Sequence, residues 1–226
     1  MNNSLKEKSE TVFLLIAALF IAALVVCNLI ANKFVSVPLG FKTFYVSAGI
    51  LPYPLTFLIT DILSEIYGKR KANKVVIAGF FASSFTLFTL WFANQFKAIP
   101  DSPVSDEEFF HVFGNSWRVV LASMTAYLTA QLIDVRIYHF WKNYTKGKHL
   151  WLRNNGSTIL SQLVDTVLVV LVLFIGVLPF NNILDLIFDG WLFKVICALA
   201  DTPLIYISTW ILRKMFHLKF GEEIKI

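Results

Sequence analysis

The sequence predicts an all-α polytopic membrane protein, a six-helix transmembrane bundle with both termini on the cytoplasmic side. Three observations predict it. Of the 226 residues, 57% are apolar and only 15% are charged, with a mean hydropathy of +0.66, whereas a soluble domain carries about 25% charge. The apolar residues fall in long runs, and about 20 in a row make one bilayer crossing. Lys and Arg collect in alternate loops, as the positive-inside rule requires.

The first apolar run covers 11–31 and is broken only by Asn28. Lys6 and Lys8 before it imitate the start of a signal peptide, but the run is too long for a signal h-region and five more follow, so it is expected to stay as a helix. The second segment, 45–67, contains Pro52 and Pro54. Two prolines two apart mark either a kink or a broken, re-entrant stretch. The third, fourth, fifth and sixth segments cover 75–96, 117–141, 157–180 and 187–212. Between the third and fourth lies the longest loop, which is acidic. The tryptophans Trp91, Trp117, Trp141, Trp151, Trp191 and Trp210 lie near segment ends, where indoles favour the interface. All six segments are expected to form one transmembrane domain, 1–226.

Orientation follows from loop charge. Lys6 and Lys8 precede the first segment, and Lys69, Arg70, Lys71 and Lys74 join the second to the third. Lys142, Lys146, Lys148 and Arg153 join the fourth to the fifth, and Arg213, Lys214, Lys219 and Lys225 follow the sixth. The other three loops hold only Lys33, Lys42 and Lys97, beside six carboxylates. The net charge of +5 is therefore read as a cytoplasmic-loop excess rather than a nucleic-acid surface. Cys27 and Cys197 fall inside apolar runs and are read as packing residues, because structural disulfides belong mostly to exposed extracytoplasmic regions.

Ionisable side chains inside hydrocarbon are expensive, and they default to functional or paired roles. Asp61 and Glu65 stand four apart on one helix face; Gln131 and Asp134 stand three apart, with Arg136 following. Gln162 and Asp165 repeat that Gln-Leu-x-Asp spacing, and Lys194 and Asp201 fall in the last segment. Asn28 and Asn32 share a face of the first. Depth places Asp61, Glu65, Asp134 and Asp165 in the inner half, and Asn32, Lys33, Arg118 and Lys194 in the outer half. A lining of carboxylates and carboxamides suits a neutral or cationic solute bearing several N–H donors. Structural roles compete at each position. Asp61 and Glu65 also suit neutralisation of Lys69 and Arg70. Arg136 suits a pair with Asp134 or Asp165, or snorkelling to the interface, and Asn28 suits interhelical hydrogen bonding. Together the polar positions imply a solute or ion pathway. His111, His139, His149 and His217 are scattered and form no metal constellation, and the chain has neither HExxH nor Gly-x-Ser-x-Gly. An enzyme, a metal and a cofactor are accordingly not expected.

The stretch from Tyr53-Pro-Leu-Thr-Phe57 through Asp61 and Glu65 to Tyr67-Gly68, followed by a Lys/Arg-rich turn, resembles the signature of the queuosine precursor transporters, a family of vitamin-uptake type. Asn28-Leu-Ile-Ala-Asn32-Lys33, Gln131-Leu-Ile-Asp134 with Tyr138-His-Phe-Trp141, and Arg153-Asn-Asn-Gly-Ser157 leading to Gln162-Leu-Val-Asp165-Thr166 resemble it too. So do Lys194 and Asp201-Thr-Pro203. The resemblance implies import of 7-deazaguanine bases (the cyano- or aminomethyl-substituted precursors, or queuine) across the cytoplasmic membrane of a bacterium, for tRNA modification. It implies a base-reading site of Asp61, Glu65, Gln131, Asp134, Gln162 and Asp165, with Asn28, Lys194 and Asp201 nearer the outer entrance and Tyr53, Phe57 or Tyr127 stacking on the ring. The expected partners are a small-molecule base and the bilayer, with no nucleic acid; a homo-oligomer is left open. Two alternatives also stay open: a proton-coupled carrier of another metabolite, and a substrate-binding membrane subunit that needs an energising partner.

Overall fold

A computed structural model describes residues 3–31, 33–114, 117–176, 179–219 and 221–224. Asn32 and Lys225 lie outside the described residues, as do the side chains of Trp117 and Arg118. The chain is mostly helical. Among the described residues, four helical stretches are long and apolar enough to cross a membrane: Asn3–Leu29, Ala48–Ile66, Lys69–Ala93 and Leu150–Val172.

Helix α1 (Asn3–Leu29) buries Ala17, Phe20, Leu24 and Cys27, the spacing of one helical face, and exposes Leu14, Leu15 and Leu19 on the other. A β-hairpin follows, which the all-α expectation did not contain. Strands β1 (Phe34–Pro38) and β2 (Thr43–Ser47) pair antiparallel, Val35 facing Val46 and Val37 facing Phe44. The sequence Thr-Phe-Tyr-Val-Ser alternates, so Phe44 and Val46 turn inward while Thr43 and Tyr45 turn out. Phe44 packs on Phe193, ring centroids 5.5 Å apart. The hydropathic segment 45–67 is therefore divided. Its first residues end β2, a 3-10 turn (Ala48–Ile50) follows, and α2 (Tyr53–Ile66) starts only after Pro52. Neither proline kinks a helix. Pro52 caps α2 and Pro54 sits in its first turn, where a missing N–H costs nothing. Gly49 lets the turn lie against α1, since a Cβ there would come 2.3 Å from the Cys27 carbonyl oxygen.

Every residue of α2 from Thr56 to Ile66 is buried. At 14 residues it is about 21 Å long, and α1, α3, α5, α6 and α7 all pack around it. Helix α3 (Lys69–Ala93) turns Phe81, Phe85, Phe88 and Trp91 outward, an apolar face suited to lipid. A short helix α4 (Asp106–Phe113) occupies the acidic loop; Ser105 and Glu108 form its capping box, the Ser105 N–H donating to Glu108 Oε2 at 2.8 Å. Helices α5 (Trp117–Tyr144) and α6 (Leu150–Phe174) pack side by side along most of their length. Helix α6 begins seven residues before its hydropathic segment, because Arg153, Asn154 and Asn155 are polar yet buried. Two cations assigned above to a loop, Lys142 and Arg153, thus lie within helices and are buried. Helix α7 (Phe180–Phe216) contains Pro203. Its 37 residues reach about 55 Å, well past the ~30 Å of a hydrocarbon core. Residues 218–219 and 221–224 then return toward α2, and the Ile224 N–H donates to the Ile66 carbonyl at 2.8 Å. The bundle so has a hairpin end and a tail end.

Candidate functional site

Tyr53, Phe57, Asp61 and Glu65 recur every four residues, which puts them on one face of α2. At 1.5 Å per residue the row runs about 18 Å, from the hairpin end to the tail end. Tyr127, Gln131, Asp134, Tyr138 and Lys142 form the facing row on α5, and Arg153, Ser157, Ser161 and Asp165 a third on α6. The buried polar groups are therefore stacked in layers between helices rather than gathered at one point.

At the hairpin end is a cavity of about 430 Å3, within the range of small-molecule sites. It is enclosed by α1, β2, α2, α5, α6 and α7, and its lining includes Asn28, Tyr53, Tyr127, Asp165 and Lys194 among the residues expected from sequence. The rest is largely apolar: Leu24, Phe44, Met124, Val169 and Val170. Its polar end is compact. Lys194 Nζ lies 2.5 Å from Asp165 Oδ2, 3.1 Å from Thr166 Oγ1 and 5.0 Å above the Tyr53 ring. The Tyr53 hydroxyl donates to Asp165 Oδ1 at 3.0 Å. Both carboxylate oxygens are thus engaged, which is what makes a buried ion pair tolerable. Ser123 donates to Asn28 Oδ1 at 3.4 Å across the upper wall, while the Asn28 amide also bonds its own helix at Leu24. Lys42 bridges to Asp189 at 2.5 Å and ties the hairpin to α7.

Below this floor, Tyr53, Phe57, Asn154, Thr158, Gln162, Lys194 and Asp201 line a crevice of about 10 Å3, no more than one water in size. Gln131, Asp61, Asp134 and Glu65 border neither space. Gln131 joins Thr60 and Thr56 of α2 at 3.2 and 3.3 Å. Asp61 faces Asp134 carboxyl to carboxyl, and Ser161 donates to Asp134 Oδ1 at 2.9 Å. Glu65 closes the tail end. Arg153 Nη2 reaches its Oε1 at 2.7 Å, Arg213 binds the same oxygen, Tyr138 donates to Oε2 at 3.0 Å and Lys142 stands 3.6 Å away. Lys142 also holds Glu223 of the tail at 2.8 Å. Gly68 makes this possible: its φ is +78, and a Cβ would come 2.2 Å from a Glu223 carboxylate oxygen.

Several expectations are corrected here. Glu65 and Asp61 do not neutralise Lys69 and Arg70, which are exposed; Glu65 is held by Arg153, Arg213, Lys142 and Tyr138. Arg136 pairs with neither acid and lies on the exposed side of α5. The residues expected as one base-reading site are divided among the cavity, the crevice and two sealed layers. Ser123 and the hairpin itself were not foreseen, and Thr166 and Ser161, part of the motif around Asp165, were not expected as site residues. Of these only Thr166 and Ser161 carried a signal, lying at Asp165+1 and Asp165−4 on the same helix.

A family model described as "Putative vitamin uptake transporter" matches residues 47–208. The "Probable queuosine precursor transporter" of Bacillus subtilis (strain 168) is 35% identical over 162 residues, 70% of this chain and 69% of that protein. The "Queuosine precursor transporter" of Escherichia coli (strain K12) is 24% identical over 139 residues, 60% of this chain and 58% of that one. The Haemophilus influenzae protein described as "Probable queuosine precursor transporter" is 25% identical over 127 residues, 55% and 50% of the two chains. No solved structure matches. These relatives are described as transporters and not as enzymes. The region matched begins at the end of the hairpin and contains α2, α5, α6 and the Lys194 and Asp201 turns of α7, so this multi-pass membrane protein belongs to the vitamin uptake transporter family.

Proposed function

We propose that the chain imports queuosine precursors, 7-deazaguanine bases, across the bacterial cytoplasmic membrane, with six crossings, its tail end in the cytoplasm and its cavity open to the outside. One observation carries the reading: a largely apolar cavity of about 430 Å3 that ends on the Asp165–Lys194–Tyr53 cluster. A guanine-like edge presents an N–H and an amino group as donors beside a carbonyl acceptor. Asp165 supplies acceptors and Lys194 a donor, side by side on the cavity floor. Tyr53, Tyr127 and Phe44 offer ring faces to the planar base, and such contacts are strongest where water is excluded. The relatives' names supply the substrate class.

Transport needs a site that opens alternately to each side. The Glu65 cluster supports this as the inner gate. Three hydrogen-bond donors, Arg153, Arg213 and Tyr138, and the Lys142 ammonium at 3.6 Å converge on one buried carboxylate and link α2, α5, α6 and α7 at the level where the tail folds over. The hairpin, tied to α7 by Lys42–Asp189 and by Phe44 and Val46 packed on Phe193, forms the outer cover. Loop charge supports the orientation, since Lys6, Lys8, Lys69, Arg70, Lys146 and Lys148 all remain on the tail side.

The test uses a bacterial strain unable to make or import deazaguanines. The wild-type chain is expressed there, each base is supplied, and queuosine in tRNA is read by boronate-gel retardation. Shifted tRNA is expected with the wild type and is expected to be lost with Asp165→Asn. No shift with any base in the wild type would overturn the function.

A further inference from the structure

Asp61 is completely buried, and neither carboxylate oxygen receives a hydrogen bond from any donor. The group it faces is the carboxyl of Asp134, also completely buried, whose Oδ1 accepts from Ser161 and whose Oδ2 has no donor. Two carboxylates in contact have acceptors only. One proton on either turns the contact into a hydrogen bond and removes a like-charge repulsion that a low-dielectric interior would magnify.

Among the described residues no cation is hydrogen-bonded to either carboxyl, and Ser157 and Thr158 add only hydroxyls on the Asp134 side. Arg153 of α6 acts on Asp61 through its charge alone, being committed to Glu65 at 2.7 Å, to the Gly147 and Lys148 carbonyls and to the Tyr138 hydroxyl. Tyr138 of α5 donates to Glu65. On α7, Arg213 binds Glu65 and Lys194 binds Asp165; Asp201 lines the crevice above. The charges of α1 lie at Lys6, Glu7, Lys8 and Glu10, and those of α3 at Lys69, Arg70, Lys71 and Lys74; both sets lie in the first two turns of their helices, at the tail end.

Resting on the import reading, we infer that Asp61 and Asp134 form a proton-binding pair that couples precursor uptake to proton entry. The placement fits coupling. Ser161, which holds Asp134, lies one turn from Asp165 on α6, so the pair sits directly beneath the cavity floor. Protonated, it joins α2 to α5 by one hydrogen bond, and in that form the loaded carrier turns toward the cytoplasm. Once the proton has left to the cytoplasm, two like charges face each other, and the empty carrier turns back to the outer side, where the pair takes up its next proton. In each cycle one proton enters the pair from the outer side and leaves to the cytoplasm. With a neutral base as cargo, one positive charge moves inward.

Infrared spectroscopy of the purified full chain tests the pair without any substrate. The wild type is expected to show, at neutral pH, the carbonyl stretch of a protonated buried carboxylic acid that shifts in D2O, and Asp61→Asn and Asp134→Asn are each expected to lose it. A wild-type spectrum without that band, or a band unchanged in both variants, would overturn the inference; the wild-type spectrum decides even if a variant fails to fold. In proteoliposomes an inward proton gradient is expected to drive queuine accumulation at least tenfold in the wild type. Asp61→Asn is expected to retain only exchange. Accumulation indifferent to the proton gradient refutes the coupling, whereas absence of any deazaguanine uptake alongside an intact band refutes the import reading instead.

Discussion

Asp165 and Glu65 are both buried and both paired, yet their surroundings give them different work. Asp165 meets one ammonium and one hydroxyl at the edge of a cavity, so a ligand with N–H donors can exchange with either partner. Glu65 has four partners and lines neither the cavity nor the crevice. Asp165→Asn keeps the shape and an acceptor for Tyr53 but removes the charge facing Lys194. It is expected to cut uptake at least tenfold, measured as initial uptake rate per amount of folded protein, and to lower stability as well, since Lys194 loses its counter-charge. Glu65→Gln leaves Arg153 and Arg213 without their counter-charge, and breaking a buried pair costs about 3–5 kcal/mol. It is expected to lower the thermal midpoint in detergent sharply, and adding Arg153→Met is expected to restore part of the loss. An unchanged midpoint in Glu65→Gln would remove the inner gate from the tail end.

At the scale of elements, the hairpin and α4 were hidden and the helices largely were not. Hydropathy follows burial in lipid, so the apolar runs of α1, α3 and α6 stand out. It is blind to a five-residue strand whose alternation covers only Phe44 and Val46, and it merges that strand with the next helix. The capping box Ser105-Asp-Glu-Glu108 was legible, since Ser followed three residues later by Glu marks a helix start, but charge made the stretch look like loop. Glu108 accepts from the Ser105 N–H and hydroxyl, which holds its carboxyl below the usual carboxylate range. The folded value is depressed, so this stabilisation is full above the unfolded value and is lost as pH falls through the folded one. Amide exchange at Glu108 is expected to quicken over that acidic window and to be flat above it. For the hairpin, Phe44→Ala deletes its main contact with α7. Exchange of the β1–β2 amides is expected to rise while those of α2 stay protected.

Across the whole molecule, sequence spacing alone brought Tyr53, Phe57, Asp61 and Glu65 onto one face. It did not say that such a face, about 18 Å long, crosses several environments. Residues four apart share a side but differ by 6 Å in depth, so Asp165 floors a cavity while Asp134, nearer the tail end on its own helix, is sealed. Partners were unreadable for the same reason. Arg153 and Lys142 sat in a polar stretch that hydropathy assigns to a loop, and only the packing of α5 against α6 turns them inward on Glu65. The layered column predicts one-sided access. In a cysteine-free background, a membrane-impermeant thiol reagent added outside is expected to label Ser123→Cys, on the cavity wall, and to spare Ser157→Cys, which is completely buried.

The most direct measurement is calorimetric titration of queuine into the purified chain, wild type beside Asp165→Asn. Saturable binding by the wild type, weakened at least tenfold by the substitution, is the expected result. Equal binding by both proteins, or none by a folded wild type, would contradict a deazaguanine site on Asp165 and Lys194.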